Sequence, residues 1–338
     1  ICWSLVGSEM CIRDRPVVDY VKDAMVAAGI VDLVVTTGYR GEQLQHHVES
    51  WSGQNESGLS INASINQEDS PMGTAGSVGL LRDRITETCV VGSGDSVASF
   101  DVASLLAAHR RSGAKVTMAL WEVEDPTEFG IVGLSESMGG EVDGGLRRGY
   151  IRRFLEKPSR EEAFSNVINA GLYILEPEVF DHIPKGVKFD FSKQLFPMLL
   201  EMEWPMYAQT IDGVWFDVGQ PFELINAQTT LINRYDELPF SFPSTHQITT
   251  SVLHERDVDV GENVERSVLG TDCHLHPGAQ IVDSLLMDRC SVGDGARINH
   301  CVLGRGVSVP QDVILEDCVV GDGALLQPGC EYRNQKIA

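Results

Sequence analysis

Residues Val264 to Leu285 read VERSVLGTDCHLHPGAQIVDSL, and the apolar residues within this stretch return at one fixed interval further along the chain. Val264, Ile281, Ile298 and Leu315 are spaced by 17 residues, as are Val268, Leu285, Val302 and Val319. Val258, Leu275, Val292, Val309 and Leu326 form a third column in the same register. Small side chains at Ser267, Ser284, Cys301 and Cys318 make a fourth, and Gly261, Gly278 and Gly295 a column of turn residues. One coil of this length cannot bury its inward residues alone, so successive coils must stack and share a narrow core. The pattern predicts a parallel β-helix over 251–331, about four coils long.

Upstream, the stretch DELPFSFPSTHQ carries two prolines and polar filler, and 234–250 reads as a linker. From Pro16 to Asn233 the patterning is of another kind. PVVDYVKDAMVAAGI places Val17, Val18, Val21, Met25 and Ala28 on one helical face, with Gly29 as its stop. VDLVVTT, LSINASINQ, TCVVGSGD and KVTMALWEV read as strands; EQLQHHV, Gly76 to Leu81 and DVASLLAAHRRSG read as helices, the last ended by Gly113. Strand and helix alternating at this spacing predict an α/β domain over 16–233, with a Rossmann-like, mostly parallel sheet covered on both faces. Ligands of such sheets sit beyond the carboxyl ends of the strands. From Tyr150 onward, strands (IRRFLEKP, VINAGLYIL, MYAQTI, VWFDV) mix with helices (FSKQLFPMLLEM, PFELINAQTTLINRY) as an α+β extension. Residues 1–15, ICWSLVGSEMCIRDR, show neither periodicity, resemble a translated sequencing adapter, and are set aside from the fold.

Composition narrows the classes of function. The chain has 338 residues, 43% hydrophobic and 22% charged, and a formal net charge of -23. That acidity excludes a basic field for nucleic acid or an anionic membrane surface, while leaving room for a small anion held locally with a metal ion. No apolar run approaches the roughly 18 residues of a membrane span. The eight cysteines include no C-x-x-C pair and no matched Cys/His spacing, so they read as reduced, packed thiols of a cytoplasmic protein.

Several segments place polar groups where strands end. QEDSPMGTAG, Gln67 to Gly76, is either a loop that opens a helix with bare backbone N–H groups toward an anion, or an ordinary turn. VVGSGDSV puts Asp95 after a strand and a Gly-x-Gly turn, and GVWFDVGQP puts Asp217 within an aromatic and apolar strand. Each alone reads as a turn or capping residue; brought together, the two would form a hard-oxygen site suited to Mg²⁺. FLEKPSR sets Glu156 and Lys157 at a strand end stopped by Pro158, where twist lets both face one cleft. The alternative is a solvated surface pair. VINAGLYIL carries an Asn-Ala-Gly break inside a buried strand, the mark of a bulge or of a close backbone approach to a ligand.

In order along the chain, PMGTAG, the Gly94–Asp95 pair, VEDPTEFGIV, EKP, INAGLY and WFDVGQP resemble the sugar-phosphate nucleotidyltransferases, with mannose-1-phosphate guanylyltransferases the nearest subgroup. The C-terminal repeat is similar to the left-handed hexapeptide-repeat family. The resemblance implies a glycosyltransferase-A-like domain followed by a left-handed β-helix. It implies a reaction in which a sugar 1-phosphate oxygen attacks the α-phosphorus of a nucleoside triphosphate and expels pyrophosphate. Asp95 and Asp217 would be the Mg²⁺ ligands. Glu156 would read sugar hydroxyls, Lys157 the sugar phosphate, and Gly130, Asn169 and Gly171 would line the sugar pocket. Gly73, Thr74, Ala75 and Gly76 would wrap base and ribose, with glycines because a side chain would strike the ligand. Glu68 would face the base; a carboxylate only accepts, which suits the two donors of guanine and favours GTP.

The family's Gly-rich triphosphate loop with its Arg and Lys has no counterpart after Pro16, so the chain as written is expected to be inactive or nearly so, and its sheet to carry a gap. Alternatives are a thymidylyl- or adenylyltransferase, a non-catalytic regulatory homologue that binds nucleotide sugar, or an acyltransferase using His274, His276 or His300. Retention of both Asp95 and Asp217 speaks against the regulator, and the short coil count against the acyltransferase. Homo-oligomerisation through the β-helix is expected.

Overall fold

The computed structural model describes residues 11–12, 15–38, 42–55, 58–219, 221–234, 246–249, 252–255, 260 and 263–338. Most of 1–15 and of the 234–250 linker, and the column members Val258 and Gly261, lie outside the described residues. The chain divides into two compact units, one comprising Val18–Trp215 and the other Phe216–Ala338 with a short segment ending at Val17. Among the described residues no helix is long and apolar enough to cross a membrane.

In the first unit the elements run α1 (Val18–Ala27), β1 (Asp32–Thr37), α2 (Glu42–Glu49), β2 (Ser60–Gln67), α3 (Thr74–Gly79), β3 (Cys89–Gly92), α4 (Val102–Ser112), β4 (Val116–Glu122), β5 (Gly130–Ser135), β6 (Arg148–Glu156), β7 (Val167–Leu175), α5 (Phe196–Glu201) and β8 (Met206–Thr210). α4 begins where the Asp101 carboxylate accepts the Ser104 N–H, and ends at Gly113 as the sequence predicts.

The main sheet has the order β3-β7-β4-β8-β6-β5. β7 is its buried spine. Ile168, Ala170, Leu172 and Ile174 face a core shared with Val21 of α1 and Leu105 of α4. Val167, Tyr173 and Leu175 face another, built with Phe196 and Leu199 of α5. Both faces are thus covered, as expected, but the expectation of a mostly parallel sheet is corrected. β7 is antiparallel to β3 and to β4, β6 is antiparallel to β5 and β8, and only β4 and β8 run parallel. The reason lies in the later chain. β3 and β4, joined by α4, run the same way, yet β7 inserts between them from a connection with no helix, and adjacency follows the insertion, not the crossover.

β1 pairs in parallel with β2 in a separate sheet, completed by Gly53–Gln54. Among the described residues, β3 pairs only with β7, and β1 only with β2. α1 spans both neighbourhoods: Val21 and Met25 lie against the Cα of Gly92 in β3, while Val18 packs with Leu33 of β1.

In the second unit, helix α6 (Pro221–Asn233) precedes three stacks of short parallel strands. The three columns become ladder partners. Val264, Ile281, Ile298 and Leu315 align in one, Val268, Leu285, Val302 and Val319 in the second, and Leu275, Val292 and Val309 in the third. Ile281, Ile298 and Leu315 are at most 1% exposed.

The small-residue column has a polar role beyond packing. Ser284 Oγ donates to Val282 O (2.7 Å) and accepts the Cys301 N–H (3.0 Å) from the next coil. Ser267 does the same one coil earlier, and Cys301 Sγ one coil later, donating to Asn299 O and accepting from Cys318 N. Burial pushes the Cys301 thiol up to about 12, so it stays a neutral donor. Ser284→Ala strands the buried Cys301 N–H and is expected to cost about 1–3 kcal/mol. Ser284→Cys copies the next coil and should cost well under that. Equal denaturation midpoints for the two variants would refute the hydrogen-bond account.

Candidate functional site

Gln67 to Gly76 decides between its two readings by hydrogen bonding. β2 ends at Gln67, and Glu68 follows with its N–H on Thr37 O and its carboxylate accepting the Met72 N–H (3.1 Å), only 8% exposed. Gly73 then turns with φ 75° and ψ 169°, and α3 begins. The N–H groups of Ala75 and Gly76 are not bare. Both donate to Phe189 O, at 3.0 and 2.9 Å, and Phe189 N returns a bond to Met72 O (2.8 Å). A Cβ on Gly73 would lie 2.6 Å from Phe189 O, and one on Gly76 would lie 3.1 Å from Val187 O. The chain itself therefore requires glycine at 73 and crowds any side chain at 76, a constraint separate from the collision with a ligand to which the sequence reading ascribed these glycines.

Thr74 Oγ1 donates to Asp190 Oδ2 (3.0 Å) and accepts the Phe191 N–H (3.0 Å). Asp190 Oδ1 in turn caps the turn of helix at Phe191–Leu195 through the N–H groups of Ser192 and Lys193. Ser192 Oγ accepts from Asn169 Nδ2 (3.3 Å), and the same amide donates to Tyr173 Oη (2.7 Å). Asn169 Oδ1 accepts the Gly171 N–H (3.0 Å). This stretch is the bulge that the Asn-Ala-Gly break predicts: the β7–β4 register shifts between Asn169 and Tyr173. Gly171 O accepts the Ser93 N–H (2.9 Å), and the Ser93 hydroxyl bonds the Asp95 carboxylate. One network thus joins Asp95, Gly171, Asn169, Tyr173, Asp190 and Thr74.

Glu156 and Gly130 are paired across β6 and β5, and Glu156 Oε2 lies 2.7 Å from where a Gly130 Cβ would stand. Only glycine leaves that carboxylate its place. Burial pushes the Glu156 carboxyl above its ordinary range, the charge of Asp190 pushes further, and Lys193 and Lys157 partly offset both. Lys157 has φ 46°, a left-handed residue that breaks strand alternation straight after Glu156. Its N–H bonds Phe129 O and its ammonium sits 3.4 Å from exposed Glu128. The phenol of Tyr173, buried near Asp190 and Glu156, is also raised.

The raised Glu156 carboxyl has a sign. A folded-state value above the unfolded 4.5 favours the protonated form, so Glu156 costs no stability below that value and an increasing amount as pH rises through the raised one. Glu156→Gln should therefore gain in melting temperature relative to wild type between about pH 4 and pH 8. Parallel melting curves across that range would show that Glu156 ionises freely.

Asp217 ends the strand Trp215–Asp217, is exposed, and accepts the Gly219 N–H (3.1 Å). It belongs to the second unit and Asp95 to the first. In the first unit, Trp215 Nε1 donates to Ala170 O (2.9 Å), tying the tryptophan of WFDVGQP to the INAGLY bulge. No group of three His, Cys, Asp or Glu side chains able to hold a metal occurs among the described residues. The two carboxylates are nonetheless the hard, anionic donors that Mg²⁺ accepts, one or two at a time, with substrate oxygens and water completing its shell.

Sequence reasoning singled out Glu68, Asp95, Gly130, Glu156, Asn169 and Gly171 but missed Asp190, Ser192, Lys193 and Tyr173. KFDFSK held a signal: an Asp before Ser-Lys and an apolar helical run is an N-cap pattern.

A nucleotidyl transferase family model matches residues 9–234, and a GlmU-like, C-terminal hexapeptide model matches residues 243–327. "Probable mannose-1-phosphate guanylyltransferase 2" of Arabidopsis thaliana is 29% identical over 301 residues, 86% of this chain and 73% of its own. "Mannose-1-phosphate guanylyltransferase 1" of the same plant is 26% identical over 293 residues, covering 84% and 74%. "Mannose-1-phosphate guanyltransferase" of Schizosaccharomyces pombe is 28% identical over 256 residues, covering 74% and 66%.

Proposed function

We propose a function from one premise: the chain belongs to the nucleotidyl transferase family and is a sugar-phosphate nucleotidyltransferase. The reading is that its nucleotide is GTP, its sugar mannose 1-phosphate, and its products GDP-mannose and pyrophosphate. The observation that carries it is Glu156, a half-buried acceptor seated over Gly130 with Lys157 and Lys193 in electrostatic reach. Among the described residues no group donates to this carboxyl, and an acceptor within the electrostatic influence of two ammonium groups suits a ligand that brings hydroxyls and a phosphate together, as a sugar phosphate does.

In this reading a nonbridging oxygen of the sugar phosphate attacks the α-phosphorus, that P–O bond forms, and the bond to pyrophosphate breaks. No covalent intermediate with the chain is required. Glu156 orients the sugar through its hydroxyls, Lys157 neutralises its phosphate, and Gly73 to Gly76 hold base and ribose. A divalent cation, Mg²⁺ in this reading, would supply charge neutralisation on the phosphates, and Asp95 and Asp217 are each carboxylates of the kind that hold it. The repeat region is assigned as a left-handed β-helix through which copies of the chain associate; its hexapeptide-family match and 17-residue spacing support this. The free thiols fit a reducing cytoplasm.

Calorimetry with GDP-mannose, ADP-glucose, UDP-glucose and dTDP-glucose tests the reading. GDP-mannose should bind tightest, and Glu68→Gln, which places a donor against the guanine donors, should weaken it by about tenfold or more. Equal binding of all four, or preference for a thymidine or adenosine ligand, would overturn the guanine assignment.

A further inference from the structure

The segment Phe189 to Lys193 touches both halves of the proposed ligand site. On one side, Phe189 O holds the Ala75 and Gly76 N–H groups and Phe189 N holds Met72 O. On the other, Ser192 Oγ accepts from Asn169, whose amide also holds Tyr173. Between them stands one joint: Thr74 Oγ1 gives its proton to Asp190 Oδ2 and takes the Phe191 N–H, while Asp190 Oδ1 takes two further N–H groups. Thr74 Oγ1 both donates and accepts here and Asp190 uses both of its oxygens, so the turn at Gly73 to Gly76 has little freedom to shift relative to Asn169 and Tyr173.

We propose that Asp190 and Thr74 are positioning residues that fix the spacing between the nucleotide turn and the sugar pocket, so that a nucleotide sugar is read at both ends at once. The proposal rests on the sugar-nucleotide reading above. Its physical content is an effective concentration. A ligand with two linked halves outbinds either half alone only while the two subsites keep the spacing of the linker. Loosening the joint costs ordering entropy for the linked ligand, and nothing comparable for a fragment that occupies one subsite.

The test measures dissociation constants of GMP, mannose 1-phosphate and GDP-mannose by calorimetry for wild type, Thr74→Val, Thr74→Ser and Asp190→Asn. In wild type, GDP-mannose should bind more tightly than the better fragment by about a hundredfold. In Asp190→Asn that margin should fall by about tenfold or more, with each fragment within about threefold of wild type, and in Thr74→Val it should fall likewise, with mannose 1-phosphate within about threefold. Thr74→Ser keeps the hydroxyl and should keep the margin. If all three ligands weaken in the same proportion, the residues act only on the folded fraction and the proposal is wrong. An unchanged margin overturns it as well. If wild type binds none of the three, the sugar-nucleotide reading itself falls and takes this one with it.

Discussion

Gly73→Ala is expected to lower the stability of the chain by about 4 kcal/mol, close to the largest loss any single methyl group could cause here. Two independent penalties combine. The backbone at φ 75° and ψ 169° lies in a region that only glycine enters cheaply, at about 1–3 kcal/mol for any other residue. The added Cβ also meets Phe189 O at 2.6 Å, an atom already fixed by two N–H donors and unable to retreat. Gly113→Ala is the control: φ is 64° there, yet nothing stands within 4 Å, so only conformational strain of about 1 kcal/mol applies. Thermal unfolding should separate the two variants by roughly 10 °C. The comparison also discriminates between origins of the glycine. A ligand-collision origin would leave the melting temperature of Gly73→Ala no lower than that of Gly113→Ala and reduce only nucleotide binding.

This case shows where sequence reasoning reaches its limit. That a glycine turn precedes a helix at Thr74 is legible, because turn residues and an apolar run lie next to each other in the chain. That the turn is closed by Phe189 is not, since the partner lies more than a hundred residues away and the N-cap signal in KFDFSK marks a helix start without saying what that segment packs against. The same limit explains the sheet. Alternation of strand and helix correctly signals crossovers such as β3-α4-β4, but neighbours in a sheet are set by which strand arrives between them, and β7 arrives late and antiparallel. Glu156 and Gly130 were singled out separately by short motifs; their direct pairing across two strands is a matter of register, which no local motif encodes. The repeat region is the opposite case. There the sequence spacing and the spatial contact are one quantity, because residues 17 apart stack in adjacent coils, so Ile281, Ile298 and Leu315 could be assigned to one ladder before any coordinates.

That identity of spacing and contact makes the coil core the most sensitive place in the second unit. Ile298→Asp should cost about 5 kcal/mol or more, a loss seen only when an unpaired charge or polar group is forced into a dry core. Ile298 is 1% exposed and pairs with Ile281 on one side and Leu315 on the other, so a carboxylate there meets two aliphatic neighbours and no donor. Ile298→Val removes one methylene and should cost only about 1 kcal/mol. Because each coil is stabilised by the coils it touches, the damage should spread along the stack rather than stay in one turn. All five tryptophans precede Phe216, so indole fluorescence does not report on this region, and amide hydrogen exchange is the measurement to use. Fast exchange is expected for the strands on both sides, from Val268–Leu269 to Val319–Val320. Fast exchange confined to Arg297–Asn299, with the neighbouring strands still protected, would mean that each coil holds its own core and that stacking contributes little.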